Sequence, residues 1–330
     1  MTTAAPARRG LAARAGDWWF VAAPAERLAA LRIVVGLYAT LDLLVRLRLL
    51  LGYAHLHAAD FKPVGVVGLV VRAPLPPGLA EAIVVAALGL AVLFTLGLLH
   101  RALAPLFALA LLWVTSYRNS WGMVFHTENL EVLHVAILAL APAADAWSLD
   151  ARRRGRRGAD APPADGRHGW ALRAVTAVTV ITYVLAGVAK LRMAGWAWID
   201  GEQLRNQIAF DNLRRAVMGV PPSPLAVPLL ESPWLFSALA ALTMVVEVGA
   251  PLAMVHRRIA AAWAVTAWSF HVGVLALMHI AFPYPLLGVA YASLFRLERP
   301  VGWVGRRAAG AARRLTSRRG RPAPARSADR

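Results

Sequence analysis

The sequence predicts an all-α fold: a polytopic membrane bundle of about eight spanning helices, six to eight by length, with both termini cytoplasmic. Three observations carry that expectation. Of the 330 residues, 58% are hydrophobic and 16% charged, against about 25% charged in a soluble domain, and the mean hydropathy is +0.54. Eight stretches approach the ~20 apolar residues that a spanning helix needs: 28–45, 79–99, 102–118, 129–146, 170–190, 234–255, 258–279 and 282–297. The basic residues are also sided. With the N-terminus inside, 24 of the 36 Lys and Arg fall on cytoplasmic segments, the asymmetry that orients helices at insertion.

Taken in order, residues 1–16 form a small, basic cytoplasmic segment without the apolar run of a signal peptide. The first span is therefore expected to target the chain to the cell membrane as a multi-pass protein. Residues 17–297 make the bundle. Only His100-Arg101 parts the second span from the third, which requires a tight helical hairpin. The outer connections 46–78 and 191–233 are too long to be turns. In the second, Leu204, Ile208, Leu213 and Val217 recur at near-helical spacing, which suits a helix in the membrane interface or a solvated linker helix. The inner loop 151–169 and the tail 298–330 are rich in Arg, Pro, Gly and Ala without an apolar face, and are expected to be disordered.

Several function classes fall away. A net charge of +18 would point to nucleic acid in a soluble chain; here sidedness and anionic lipid account for it, and no nucleic-acid partner is expected. With no cysteine there is no thiolate nucleophile and no Cys-based metal site. No His pair has i, i+4 spacing with a carboxylate on a helix, and His55 and His57 do not share a helix face, so no metal is expected. Phosphate-binding glycine loops and serine elbows are lacking.

Ionisable groups within spans are costly in lipid and so mark candidate sites. They are Arg32, Asp42, Glu131, His134, Arg173, Lys190, Glu247 and His271. Arg173 is one turn into its helix and can snorkel. Arg32 and Glu247, both placed in the inner half, are expected to form a structural ion pair between the first and sixth spans. Lys190 is chemically distinct, because every basic residue other than Lys62 and Lys190 is Arg. Arginine keeps its proton, whereas a desolvated lysine can release it; a lysine closing its apolar run can equally snorkel to the outer headgroups. His271, at a similar depth, reads as a catalyst or as an interhelical hydrogen-bonder. The outer turn "SYRNSWGMVFHTENL" gathers Arg118, Asn119, Trp121, His126, Glu128 and Asn129. Helix capping and an aromatic belt explain only part of that cluster. All three clusters come to the outer half of the bundle under one topology.

Four segments, "WWFVAAPAERLAALRIVVGLYA", "RNSWGMVFHTENLEVLHVAILALAPAADAWSLD", "YVLAGVAKLRMAGWAWIDG" and "FHVGVLALMHIAFPYPLLGVAYASLF", together resemble the horizontally transferred transmembrane (HTTM) domain. The membrane part of vitamin K-dependent gamma-glutamyl carboxylase belongs to that family. In the carboxylase a Lys within Gly-Val-Lys-Lys-Leu is regarded as the base linked to vitamin K oxygenation. The run here is Gly187-Val188-Ala189-Lys190-Leu191, and the resemblance puts that role on Lys190. Trp198-Ile199-Asp200-Gly201 is similar to the family's Trp-Val-Glu-Gly, Phe270-His271 to its Phe-His pair, and His126 approximately to a His near the start of the "HTENL" helix.

The resemblance thus implies Lys190, His271 and His126 as catalytic residues, with Arg118, Asn119, Trp121 and Trp198 as candidates for holding a cofactor. That cofactor would be a reduced menaquinone or vitamin K-type quinone, used with O2 and CO2 and with no metal. In the implied chemistry neutral Lys190 deprotonates the quinol, oxygen makes it a strong base, a substrate carbon loses a proton and CO2 traps the carbanion. The large lumenal region associated with substrate binding in the carboxylase has no counterpart in the Arg-rich tail, so glutamyl recognition is not implied. Bacterial members are also associated with maturation of a secreted peptide. A non-enzymatic membrane partner in peptide maturation or export is the alternative.

Overall fold

The computed structural model describes residues 10–155 and 162–319. Its helices run in the order α1 (Leu11–Trp19), α2 (Ala25–Val45), α3 (Leu47–Gly52), α4 (Gly65–Val70), α5 (Pro77–Leu96), α6 (His100–Asn119), α7 (Asn129–Leu140), α8 (Leu149–Gly155), α9 (Gly166–Ala194), α10 (Glu202–Val217), α11 (Ala226–Leu229), α12 (Pro233–Val248), α13 (Arg257–Met278), α14 (Pro283–Leu286) and α15 (Glu298–Arg319). No strand occurs among the described residues; Ala23 and Asp165 form an isolated backbone bridge.

Four helical stretches are long and apolar enough to cross a membrane: α2, α5, α13, and α9 with the 3-10 turn that prolongs it to Asp200. The apolar helices α7 and α12 are shorter, at 12 and 16 residues. α6 has 20 residues but carries His100, Arg101 and Arg118 at its ends. The eighth apolar stretch is not one helix. Pro283 and Pro285 remove backbone donors, Gly288 turns the chain at φ 75°, and only α14 and a 3-10 segment, Val289–Leu294, form.

The core packs α2, α5, α6, α7, α9 and α13 through Leu31, Phe94, Phe107, Leu138, Val175 and Ala267, all buried. Away from it, Val85, Val92, Ile181, Leu185, Val265 and Leu275 are exposed. An apolar outer surface of this kind suits contact with lipid, where helices satisfy their own backbone polar groups.

The α5–α6 hairpin shows how the polar residues of this end are used. Gly97 (φ 63°) closes α5 where Arg32 and Ser148 leave no space for a Cβ. The Asp150 carboxylate accepts from the Leu99 and His100 backbone N–H groups, each at 2.9 Å, supplying partners for the open end of α6. Arg32 donates to the carbonyls of Phe94 (3.3 Å) and Trp147 (2.8 Å), so the expected Arg32–Glu247 pair is not formed. The physical reason is placement. Arg32 lies on α2 against the carbonyl end of α5, where the helix dipole favours a cation, while Glu247 lies on α12, which packs against α9.

Of the segments expected to be disordered, residues 151–155 lie in α8, 162–165 are irregular up to the Asp165 bridge, and 298–319 form α15; residues 156–161 and 320–330 lie outside the described residues. Alanine and arginine are good helix formers. Arg27 also ties Glu298 at the start of α15 to α2 through two hydrogen bonds of 3.2 and 2.9 Å.

Candidate functional site

α9 does not stop at Lys190. It continues to Ala194 and then as a 3-10 turn, Gly195–Asp200, which places Lys190 ten residues before the end of a 35-residue helical stretch. Lys190 is therefore not the terminal residue of its helix that the end of its apolar run suggests. One turn earlier, Gly187 lets α12 approach closely: a Cβ there would lie 2.9 Å from Val248 Cγ2 and 3.0 Å from Glu247 Cβ. That approach sets Glu247 opposite Lys190, and Lys190 Nζ donates to Glu247 Oε1 as an ion pair. Glu247 is 3% exposed and its Oε2 has no hydrogen-bond partner. Lys190 Nζ also lies 5.4 Å from the centre of the buried Trp198 ring, within cation–π range.

His271, on α13, meets α9 through Tyr183. The Tyr183 hydroxyl lies 2.8 Å from His271 Nε2 and 2.5 Å from the Tyr291 hydroxyl. One ordering gives both hydroxyl protons an acceptor: Tyr291 donates to Tyr183, and Tyr183 donates to Nε2. In that ordering the proton of a neutral His271 sits on Nδ1, which is buried without a hydrogen-bond partner. A parallel relay lies deeper. Thr179 gives its proton to a backbone carbonyl, so His134 Nε2 donates to Thr179 (3.1 Å) and its Nδ1 accepts from Tyr284 (2.8 Å).

Lys190, Glu247, His271, His126, Trp198, Tyr183 and Tyr284 line one cavity of about 360 Å³. Leu130, Ala186, Val274, Met278, Phe282 and Pro285 supply its apolar wall. That volume lies in the range of small-molecule sites, roughly 300–1,000 Å³, and the mixture of an apolar wall with a few convergent polar groups is their usual character. His126 and His271 flank the Phe282 ring, at 6.0 and 5.2 Å. Leu204 and Gln207 of α10 close one side. The α10 arm is fastened to the end of α13: Asn212 donates to the Leu277 carbonyl (2.8 Å) and Ser223 to that of Ala276 (2.7 Å).

Three sequence-predicted residues lie elsewhere. Arg118 donates to Glu128 Oε1 (3.0 Å) and Oε2 (2.7 Å), and Glu128 also receives Arg46. Burial alone would raise the Glu128 carboxyl, but hydrogen bonds from Arg118 and Thr127 and the nearby Arg118 and Arg46 charges hold it at about 2. Asn119 pins the Phe125 backbone, accepting from its N–H (3.1 Å) and donating to its carbonyl (2.8 Å). Trp121 packs on Phe61 and Tyr117 in a separate apolar cluster. Arg118, Asn119 and Trp121 therefore brace the turn that presents His126, and do not line the cavity. Most of their polar atoms are taken up by the turn itself; Arg118 Nε and Trp121 Nε1 are the exceptions.

Sequence reasoning missed Tyr183, Tyr284 and the pairing of Glu247 with Lys190. Tyr183 left a signal: it precedes Lys190 by seven residues, two helical turns on the same face. Tyr284, within "FPYP", left none. Glu131 is fully buried with neither carboxylate oxygen hydrogen-bonded. Among the described residues no group of His, Asp and Glu gathers as a metal-ligand set.

The architecture is thus that of an all-helical protein with membrane-length apolar helices and a polar-ended cavity among them. The family model for the HTTM domain matches residues 20–298, most of the chain, and the protein belongs to that family. Comparison with the curated proteins and with the solved structures gives no match.

Proposed function

We propose that the protein is a multi-pass enzyme of the cell membrane, of the vitamin K-dependent carboxylase type, with Lys190 handling the proton of a membrane quinol. The observation that carries this reading is convergence. Lys190 from α9, His271 from α13, His126 from the α6–α7 turn and Trp198 from the 3-10 turn all face one cavity whose other walls are largely apolar. A flat aromatic diol suits such a lining, which combines the aromatic side chains of Trp198, Phe270 and Phe282 with the polar groups of Lys190 and His271. A reduced naphthoquinone with O2 would supply the strong base for carbon deprotonation, and CO2 would trap the resulting carbanion. The chain's own part is to hold the ring, exclude water and take a hydroxyl proton at Lys190 Nζ.

An even number of membrane crossings, about eight, with both termini cytoplasmic is part of the same proposal. In its support, the start of α2 meets the start of α15 through Arg27–Glu298, and the start of α9 through the Ala23–Asp165 bridge, so these three ends share one side. Reporter fusions after Gly155 and Gly201 are expected to report opposite sides of the membrane, and the same side would overturn the topology.

The direct test is quinol epoxidation by purified protein in lipid nanodiscs. Lys190→Ala and Lys190→Arg are expected to lower the rate by about 100-fold or more, the scale of general acid–base catalysis, with the unfolding midpoint of Lys190→Arg little changed. Equal rates in wild type and variants would remove the enzyme reading. They would favour a non-enzymatic membrane partner in peptide maturation or export, for which Lys190–Glu247 is simply an interhelical ion pair.

A further inference from the structure

A lysine held as an ammonium by a carboxylate cannot itself accept a proton. Lys190 and Glu247 meet directly as an ion pair. The pair taken together does have one vacant proton site, the carboxylate. Glu247 is almost wholly inside, with 4% of its side chain exposed against 23% for Lys190, and Oε2 is left without a partner. Of the other titratable groups on the cavity, Tyr183, Tyr284 and His271 Nε2 meet partners of their own, while His271 Nδ1 is buried without one. His271 Nε2 accepts from Tyr183, Tyr183 accepts from Tyr291, and Tyr284 donates to His134. His126 and His271 each lie beside the Phe282 ring, at 6.0 and 5.2 Å.

We propose that Glu247 is the terminal proton acceptor of the site, with Lys190 as the relay. This deepens the quinol reading and rests on it. When a phenol or quinol hydroxyl binds beside Lys190, an N–H bond of the ammonium breaks as an O–H bond forms on Glu247. The ligand's O–H bond breaks as its proton passes to Nζ, and the bonding electron pair stays on the ligand oxygen. Lys190 ends with the three protons it began with. Glu247 becomes a neutral acid, and the ammonium now faces an oxyanion. No oxidant or reductant takes part.

Electrostatics favours this route over transfer to solvent. One ion pair exists before the step, Lys190–Glu247, and one after it, Lys190–oxyanion. Charge is moved within a poorly solvated site rather than created there, which avoids the large cost of an unpaired buried charge. Gly187 is what makes the exchange local, because it sets the α9 and α12 backbones close enough for a direct Nζ–carboxylate contact.

The test uses the full chain in lipid nanodiscs with menadiol, a reduced naphthoquinone, added without oxygen so that no turnover occurs. Infrared difference spectra with and without menadiol are recorded in H2O and D2O. In wild type, binding is expected to raise one protonated-carboxyl C=O band that shifts in D2O. The band is expected to be lost in Glu247→Gln and to appear at a displaced frequency in Glu247→Asp, which keeps the acid should the glutamine variant fold poorly. Menadiol binding without the band in wild type, or a band that persists unshifted in both variants, overturns the proton assignment while leaving a quinol site in place. No binding of menadiol to wild type removes the quinol reading, and the assignment falls with it.

Discussion

Glu128 and Glu247 are both buried carboxylates beside a cation, yet their surroundings differ in kind. Glu128 receives three contacts from Arg118 and Arg46, covering both of its oxygens, and Arg46 is further held by Asp42 at 3.1 Å. Its partners are arginines, which do not give up protons. Glu247 has one lysine on one oxygen and none on the other, next to a cavity. A saturated carboxylate fixes a turn; a half-saturated one retains a place for a proton. Burial by itself does not tell a scaffold from a reactive group. Saturation of the hydrogen-bonding atoms is what separates these two carboxylates.

The sharpest way to break the contrast is to remove each carboxylate and measure thermal unfolding. Glu128→Ala leaves the Arg118 guanidinium buried without its carboxylate and is expected to cost about 3–5 kcal/mol, the range for breaking a buried pair. Glu247→Gln keeps the volume and leaves a partly exposed lysine, so its loss of stability is expected to be clearly smaller. Equal losses would mean that both pairs are structural.

Acid titration of stability sharpens the same point. The folded Glu128 carboxyl, at about 2, lies below its ordinary value of 4.5. Its contribution is therefore complete above pH 4.5 and is lost as pH falls toward about 2. In a series of unfolding midpoints, Glu128→Gln is expected to flatten the part of the acid slope that this group causes. An unchanged slope would show that Glu128 is not held as an anion.

A smaller effect is expected from Gly187→Val. The added side chain meets Val248 and Glu247 and is expected to cost about 1–3 kcal/mol, as overpacking does. The α9–α12 contact would open, and Lys190 would become more reactive toward an amine-specific reagent. With Lys62 the only other lysine, peptide mass spectrometry can read that reactivity directly. No gain in labelling would mean that Gly187 does not set the pair.

Much of the fold is legible because apolar runs map onto helices: 28–45 became α2, 79–99 α5, and 258–279 α13, each within a few residues. The broken eighth stretch was also written in its prolines and glycine, which a hydropathy count ignores. Lys190 could be singled out because its rarity among arginines is a compositional fact. Its partner could not, because linear depth ended the fifth apolar run at Lys190. The helix runs on through "LRMAGWAWID", where Trp198 packs against Ala240 and Met244 of α12, and this extension brings Lys190 level with Glu247. The turn 118–129 misled in the opposite way. Its polar density looked like a binding site, and is the self-sufficient hydrogen bonding of a sharp connection.

The fastening of α10 to the end of α13 has a mechanical side. Asn212 and Ser223 grip carbonyls that lie only five and six residues beyond His271 on the same rod. Any force that lifts the α10 arm is borne by that rod before it reaches the loop behind it. The wall of the chamber and the imidazole within it are thus parts of a single lever, and displacing one without the other means breaking both grips.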